Sequence, residues 1–318
     1  MKIAFHSAAI TLRGTEVATF DYAAQARRLL GVEPIALFPH FDGIEKNPVH
    51  QKFAAAFPCF SYRSAQERED ILRDRKIDLL YVTKAGSDDG IYSQTVPTAI
   101  HAVFLENAFH GDIYAYISSW LSTVMTYGRA QWVPYMVDLP APDGNLRSEL
   151  SIPADAVVFG RYGGMETFDI VWVQKLVVEL AAKNPRLHFL FMNTERFGPR
   201  LPNVHFLPGT PDLARKAKFI ATSDAMLHAR YCGETFGLAV AEFSCLNKPI
   251  FTFEHSPDRH HLEVLGSRAF RYRDADELRR QILGFSPDPQ GDWRVFAELC
   301  RPKNAMQKFR EAFMDPLG

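Results

Sequence analysis

The chain has 318 residues and a mass of 36.0 kDa, about twice the length of a typical domain, so we expect two domains. Basic and acidic side chains nearly cancel, with 36 Lys and Arg against 37 Asp and Glu. Binding of nucleic acid draws most of its affinity from a cationic face, so we expect no nucleic acid as the main partner.

The cysteines and the apolar runs indicate in which cellular compartment the protein works. The 4 cysteines lie far apart and form no Cys-x-x-Cys pair, which argues against a disulfide framework and favours a reducing compartment. Met1–His6 is short and polar and predicts a first strand instead of a signal peptide. No apolar run approaches the ~18–20 residues needed to cross a bilayer. We therefore expect a cytoplasmic protein without a transmembrane segment, while peripheral membrane contact stays open.

Short apolar runs alternate with helical patterns along the chain. Most runs are apolar on successive residues, as in parallel strands buried on both faces, so the alternation predicts an α/β protein with parallel sheets. The predicted strands are Lys2–His6, Pro34–Phe38, Asp78–Val82, Thr98–Phe104, Ala156–Phe159, Leu187–Met192, Val204–Leu207, Ala225–Leu227 and Pro249–Phe253. The predicted helices are Glu16–Leu30, Gln66–Lys76, Phe168–Lys183, Asp212–Ala221 and Phe236–Leu246.

A linker-like segment separates the two halves. Residues 133–144 include Pro134, Pro140, Pro142 and Gly144, a composition typical of domain boundaries. The sequence therefore predicts one domain over residues 1–140 and a second over 141–300, each with its own series of strands and helices.

Each half begins with a glycine-containing turn after its first strand. The first turn lacks the Gly-x-Gly-x-x-Gly fingerprint, which argues against a nicotinamide-dependent dehydrogenase. Gly14 precedes a predicted helix start, where an anion could reach backbone N–H groups, although the glycine could also simply make the turn. In the second half, Gly160, Gly163 and Gly164 surround Arg161. This pattern favours a diphosphate site, and a surface arginine on a loop is the alternative.

The most specific segment contains two glutamates separated by seven residues. Glu234 and Glu242 flank Gly237, and an apolar helical pattern follows to Leu246. We expect Glu234 before the helix and Glu242 two turns into it, both facing a diphosphate at the helix N-terminus. The alternative is that Glu234 is merely a charge in the first helical turn and Glu242 merely a solvated position on the helix. The apolar neighbours argue against it, because a buried carboxylate needs a partner.

This segment resembles the Glu-x7-Glu signature of the retaining family 4 glycosyltransferases, which have the GT-B fold. Other parts of the family pattern follow in order, carried by Gly14, His101, residues 133–138, Gly160–Arg161 and Asn247–Ile250. The chain departs from the family where a phosphate-binding Lys is usual, since Glu166 and Thr167 stand there. Thr235 also replaces the glycine that usually follows the first glutamate.

The resemblance implies an architecture and an activity. It implies two Rossmann-like parallel-sheet domains facing a central cleft, with the C-terminal helix in residues 301–318 crossing back to the N-terminal domain. It implies a retaining glycosyltransferase that moves a sugar from a UDP- or GDP-sugar to a glycan or other acceptor. The donor would lie mainly on the C-terminal domain and the acceptor mainly on the N-terminal one. No metal cofactor would be required.

The resemblance also implies roles for single residues. Arg161 would bind the diphosphate together with backbone N–H groups near Gly14, Gly237 and Leu238. Glu242 would accept hydrogen bonds from the ribose. The catalytic residues would be Glu234 and His101, which would orient the donor sugar.

Two other functions stay open, a nucleotide-sugar epimerase of similar build and a non-catalytic sugar-nucleotide-binding subunit. A metal site is the weaker interpretation of two polar clusters. Asp274 and Asp276 match an Asp-x-Asp metal motif, but Asp274 with Glu277 also predicts a helix cap. The group of His255, His260 and His261 fits no zinc spacing, and we expect solvated loop histidines.

Overall fold

The computed structural model describes residues 1–7, 14–106 and 108–318. These residues divide into two compact units. Unit 1 comprises Met1–Asp138 and Leu299–Gly318, and unit 2 comprises Leu139–Glu298. Each unit has a parallel sheet with flanking helices, so the predicted α/β class is confirmed.

Unit 1 is built on a parallel sheet. Its strands are β1 (Lys2–Ser7), β2 (Glu33–Pro39), β3 (Cys59–Tyr62), β4 (Leu79–Lys84), β5 (Thr98–Ala102), β6 (Ile113–Tyr116) and β7 (Gln131–Trp132). Within the described residues the 7 strands have the order β3-β2-β1-β4-β5-β6-β7. The helices that alternate with them are α1 (Gly14–Leu30), α2 (Pro48–Ala56), α3 (Ala65–Asp74) and α4 (Ser119–Thr126). Strands β4 and β5 are buried along their whole length, which explains their continuous apolar runs.

Unit 2 repeats this plan. Its main strands are β8 (Val157–Tyr162), β9 (Leu187–Met192), β10 (Val204–Leu207), β11 (Ala225–His228), β13 (Ile250–Phe253) and β15 (Ala269–Tyr272), and a small pair is formed by β12 (Gly233–Glu234) and β14 (Asp258–Arg259). The main sheet has the order β10-β9-β8-β11-β13-β15 in the described residues. The helices are α5 (Val171–Lys183), α6 (Leu213–Thr222), α7 (Leu238–Cys245), α8 (His260–Leu265) and α9 (Ala275–Gly284).

Helix positions follow local signals in the sequence. The apolar stripe Val173, Leu176, Val177 and Leu180 of α5 is buried in the core of unit 2, as the spacing requires. Asp274 caps α9, accepting a hydrogen bond from the backbone N–H of Glu277 at 2.8 Å, so the cap interpretation is confirmed.

The chain ends with helix α10 (Pro302–Phe309), which continues through Arg310–Met314 and belongs to unit 1. The Phe309 ring stacks on Phe5 with centroids 6.2 Å apart and lies 5.1 Å from the Tyr81 ring. Phe313 packs against Tyr81 at 5.3 Å. The C-terminal segment therefore completes the core on one face of the first sheet. No helix within the described residues has the length and apolarity needed to cross a membrane.

These contacts predict a stability effect. Replacement of Phe309, which is 0% exposed, by Ala removes its contacts with the four rings of Phe5, Tyr22, Tyr81 and Phe313 and leaves a cavity. We expect the free energy of unfolding to fall by about 3–5 kcal/mol in urea titrations. The exposed Lys303→Ala on the same helix is the matched control and should change stability by less than about 0.5 kcal/mol. Similar values for both variants would show that α10 is not part of this core.

Candidate functional site

Arg161 lies at the carboxyl end of β8, between its neighbours β9 and β11. In open parallel sheets, this change of direction in the strand order is where ligands bind. The side chain is almost completely buried, and its guanidinium donates to the hydroxyls of Thr194 and Thr167 and to the carbonyl of Gly164. Burial lowers the pKa of Arg161 to about 10, against the opposing effect of the Glu234 charge.

The partners of Arg161 are neutral oxygens. Within the described residues, no carboxylate forms an ion pair with its guanidinium. Gly163 permits this arrangement, because an added Cβ would lie 2.8 Å from Nη2 of Arg161. A buried cation that is hydrogen-bonded but not neutralised favours an anionic ligand.

Glu234 ends β12 and is held at both carboxylate oxygens. Its Oε1 lies 3.2 Å from Nε2 of His228, and its Oε2 accepts a hydrogen bond from Nη1 of Arg230 at 2.7 Å. Burial acts to raise the pKa of Glu234, but the hydrogen bond with His228 and the Arg230 charge outweigh it, so the pKa is lowered. The carboxylate is therefore ionised and fixed in direction.

Gly237 caps helix α7 next to Glu234. Its φ of 89° is in the left-handed region, and a Cβ there would lie 3.1 Å from the Cβ of Glu234. Leu238 is the first residue of the helix, two residues after the predicted start at Phe236. The turn thus brings the start of α7, where backbone N–H groups have no partner within the helix itself, close to Glu234.

Glu242 differs from the sequence prediction in its depth along the helix. It is the fifth residue of α7, about one turn from the start and not two, and is 4% exposed. Its Oε1 accepts a hydrogen bond from Nζ of Lys216 at 2.9 Å, and the same ammonium lies 5.2 Å from the ring of Tyr162. The sequence analysis missed Lys216, which comes from α6, 26 residues earlier in the chain.

His101 lies inside unit 1, and the catalytic role predicted for it stays a prediction. The side chain is 0% exposed on β5, with Nδ1 2.6 Å from the hydroxyl of Tyr81 and Nε2 3.0 Å from the carbonyl of Val133. Burial lowers its pKa to about 3, although the backbone hydrogen bond to Val133 acts in the opposite direction. Both ring nitrogens are used within the core, so the geometry supports a structural histidine.

Gly14, the other residue predicted in unit 1, is the first residue of α1 and is exposed. The rest of the predicted turn, residues 8–13, lies outside the described residues. The predicted residues divide between the two units, with Gly14 and His101 in unit 1 and Arg161, Glu234, Gly237, Leu238 and Glu242 in unit 2.

The histidines after β13 correct a second prediction. His255 is exposed as expected, but His260 and His261 are buried on α8 and not solvated in a loop. The ring of His261 lies 4.8 Å from that of His228, and both residues are buried. Within the described part of the chain, no group of three His, Cys, Asp or Glu side chains could hold a metal ion.

Solved structures share this architecture along nearly the whole chain. HepE from Anabaena, crystallised with UDP-glucose, is 17% identical with a TM-score of 0.67, covering 98% of this chain and 95% of HepE. AviGT4, a glycosyltransferase involved in avilamycin A biosynthesis, is 13% identical with a TM-score of 0.64, covering 100% and 98%. A Listeria monocytogenes protein assigned as a UDP-N-acetylglucosamine 2-epimerase is 10% identical with a TM-score of 0.58, covering 98% and 94%.

The chain has the GT-B fold. At these identities the similarity establishes the fold alone, and it includes proteins of two enzyme classes. No family model and no curated protein sequence matches the chain. Assignment to family 4 therefore stays a prediction.

The buried position of His101 predicts a pH dependence. Below pH 6.5 the unfolded chain binds a proton at this histidine, whereas the folded chain does so only near pH 3. Stability from this group is therefore present above pH 6.5 and is lost as the pH falls, at up to about 1.4 kcal/mol per pH unit. Urea titrations between pH 4 and 7 should show a shallower decline for His101→Gln than for wild type. The exposed His255→Gln should keep the wild-type slope, and an unchanged slope in His101→Gln would contradict the assignment.

The ion pair of Glu242 predicts a second effect on stability. Glu242→Gln keeps the side-chain shape but leaves the buried Lys216 ammonium without that carboxylate, so we expect a loss of about 3 kcal/mol in the free energy of unfolding. Adding Lys216→Met should restore most of it. In the exposed pair of Glu149 and Arg215, Glu149→Gln should change the free energy of unfolding far less, because solvent screens an exposed pair. A double variant as unstable as the single one would show that the pair is not the cause.

Proposed function

We propose that the protein is a retaining glycosyltransferase that uses a nucleotide diphosphate sugar, a UDP- or GDP-sugar, to modify a glycan or other acceptor. One observation carries the proposal, the buried guanidinium of Arg161 with neutral partners at the switch point of the second sheet. The GT-B fold supports it, because HepE has this fold and was crystallised with UDP-glucose. A cytoplasmic location and independence from metal ions are part of the proposal.

Each residue of unit 2 has a proposed part in donor binding. Arg161 and the N–H groups at the start of α7 bind the diphosphate and stabilise the charge that develops on it as the sugar leaves. Glu234 accepts hydrogen bonds from hydroxyls of the donor sugar. Glu242 is proposed to accept from the ribose, and its burial means that donor binding must expose its carboxylate. The acceptor is assigned to unit 1, which contains His101.

One experiment separates the proposed transferase from its alternatives. Thermal unfolding is first recorded with UDP, GDP, ADP and CMP sugars, since a ligand at 100 times its Kd adds about 2.7 kcal/mol of stability. The stabilising donor is then incubated with and without glycan acceptors. A transferase releases nucleotide diphosphate appreciably only with an acceptor, an epimerase converts the sugar, and a binding subunit does neither. Binding that vanishes with EDTA would overturn the metal-free part of the proposal.

The proposal predicts different consequences for two substitutions. Arg161→Gln removes the charge that meets the diphosphate, so affinity for the free nucleotide should fall by about 1.5–3 kcal/mol. Glu234→Gln should leave that affinity nearly unchanged and lower turnover sharply, because Glu234 contacts the sugar. Calorimetry and transfer rates measure the two effects. Arg200→Gln, at an exposed arginine, is the control and should change neither. Equal losses of nucleotide affinity at positions 161 and 234 would contradict this division.

A further inference from the structure

A chain of hydrogen-bonded side chains leads from Glu234 into the interior of unit 2. His228 lies 3.2 Å from Glu234 through Nε2, and its Nδ1 lies 2.9 Å from Oγ1 of Thr252. The same hydroxyl lies 3.1 Å from Nε2 of His261. The four residues come from β12, β11, β13 and α8, and the last three are buried. We name this chain the Glu234 relay.

The chemistry of each group gives the relay a direction. The ionised carboxylate of Glu234 can only accept, so His228 donates to it from Nε2–H. The hydroxyl of Thr252 then donates its proton to Nδ1 of His228. The oxygen of the same hydroxyl accepts a hydrogen bond from Nε2–H of His261. Nδ1 of His261 has no partner among the described residues. An unpaired ring nitrogen is better tolerated there as an acceptor than as a buried N–H, which favours this direction.

We propose that His228 is a positioning residue, which with Thr252 and His261 fixes the carboxylate of Glu234 toward the donor sugar through a relay of two neutral, Nε2-protonated imidazoles. The relay holds Oε1 while the charged Arg230 holds Oε2. Every proton of the relay is directed toward the carboxylate. The remaining lone pairs of Glu234 can therefore accept only from donor groups such as sugar hydroxyls. This inference rests on the proposed function for its catalytic consequence, but not for the state of the relay.

The state of the relay is tested without any turnover. Nitrogen-15 NMR of the full chain, labelled at histidine, distinguishes neutral Nε2–H, neutral Nδ1–H and doubly protonated imidazole. His228→Gln and His261→Gln assign the two signals by their loss. We expect both rings to be neutral and Nε2-protonated at pH 7.5. An imidazolium at His228, or an Nδ1–H form of either ring, would overturn the relay.

The positioning role is tested at Thr252, which lies outside the proposed contact with the sugar. Thr252→Val keeps the shape and removes the hydroxyl, so kcat should fall about tenfold with KM for the donor and nucleotide affinity within about twofold. Thr252→Ser keeps the hydroxyl and should restore most of kcat. Thermal unfolding of both variants shows whether a packing defect, and not the loss of the hydroxyl, contributes to the change in kcat. Equal kcat values in the two variants would overturn the positioning role. Absence of turnover in wild type with every donor would overturn the proposed function instead, while the NMR result still decides the relay.

Discussion

The negative charge of Glu234 is largely removed from water, and such a charge is tolerated only where hydrogen bonds and counter-charges replace the lost solvent. In unit 2 this replacement is divided between a charged and a neutral partner, with Arg230 at 2.7 Å from one oxygen and His228 at 3.2 Å from the other. Gly237 is required beside it, because a Cβ there would meet the glutamate side chain. The start of helix α7, the turn before it and the buried histidines are thus arranged around one carboxylate.

The need of a buried charge for partners also distinguishes the cationic side chains of unit 2 from one another. Arg230 is paired with Glu234 and Lys216 with Glu242, whereas Arg161 is solvated only by hydroxyl and carbonyl oxygens of the described residues. The burial that lowers the Arg161 pKa is partly offset by the Glu234 charge, so the guanidinium stays ionised at neutral pH. An incoming diphosphate would complete this arrangement without displacing an existing ion pair. Arg161 can therefore serve a ligand in a way that Arg230 and Lys216 cannot without breaking a pair.

The sequence predicted those features that depend on neighbours along the chain. Buried parallel strands such as Leu187–Met192 are continuous apolar runs, and the Asp274 cap needs only a partner three residues away. Strands β3, β6, β7 and β15 were missed because they are short, partly exposed or interrupted by polar residues. The contact of Lys216 and the burial of His101 could not be predicted, since both depend on contacts between residues 20 or more positions apart. The relay was missed because its four members lie on four different elements that only the fold brings together, although His228 and His261 were both visible in the sequence.

The GT-B fold includes both transferases and an epimerase, so the choice between them depends on the chemistry of the site. Epimerisation at a sugar carbon requires a group that takes and returns a proton, and such a group works best with a pKa near the pH of the reaction. The pKa of Glu234 is lowered from a value already near 4.5, and both of its oxygens are engaged. A carboxylate in this state orients hydroxyls and stabilises positive charge near the reacting carbon far better than it exchanges protons. The environment of Glu234 therefore supports the proposed transferase, in which the carboxylate would act as a fixed acceptor of hydrogen bonds.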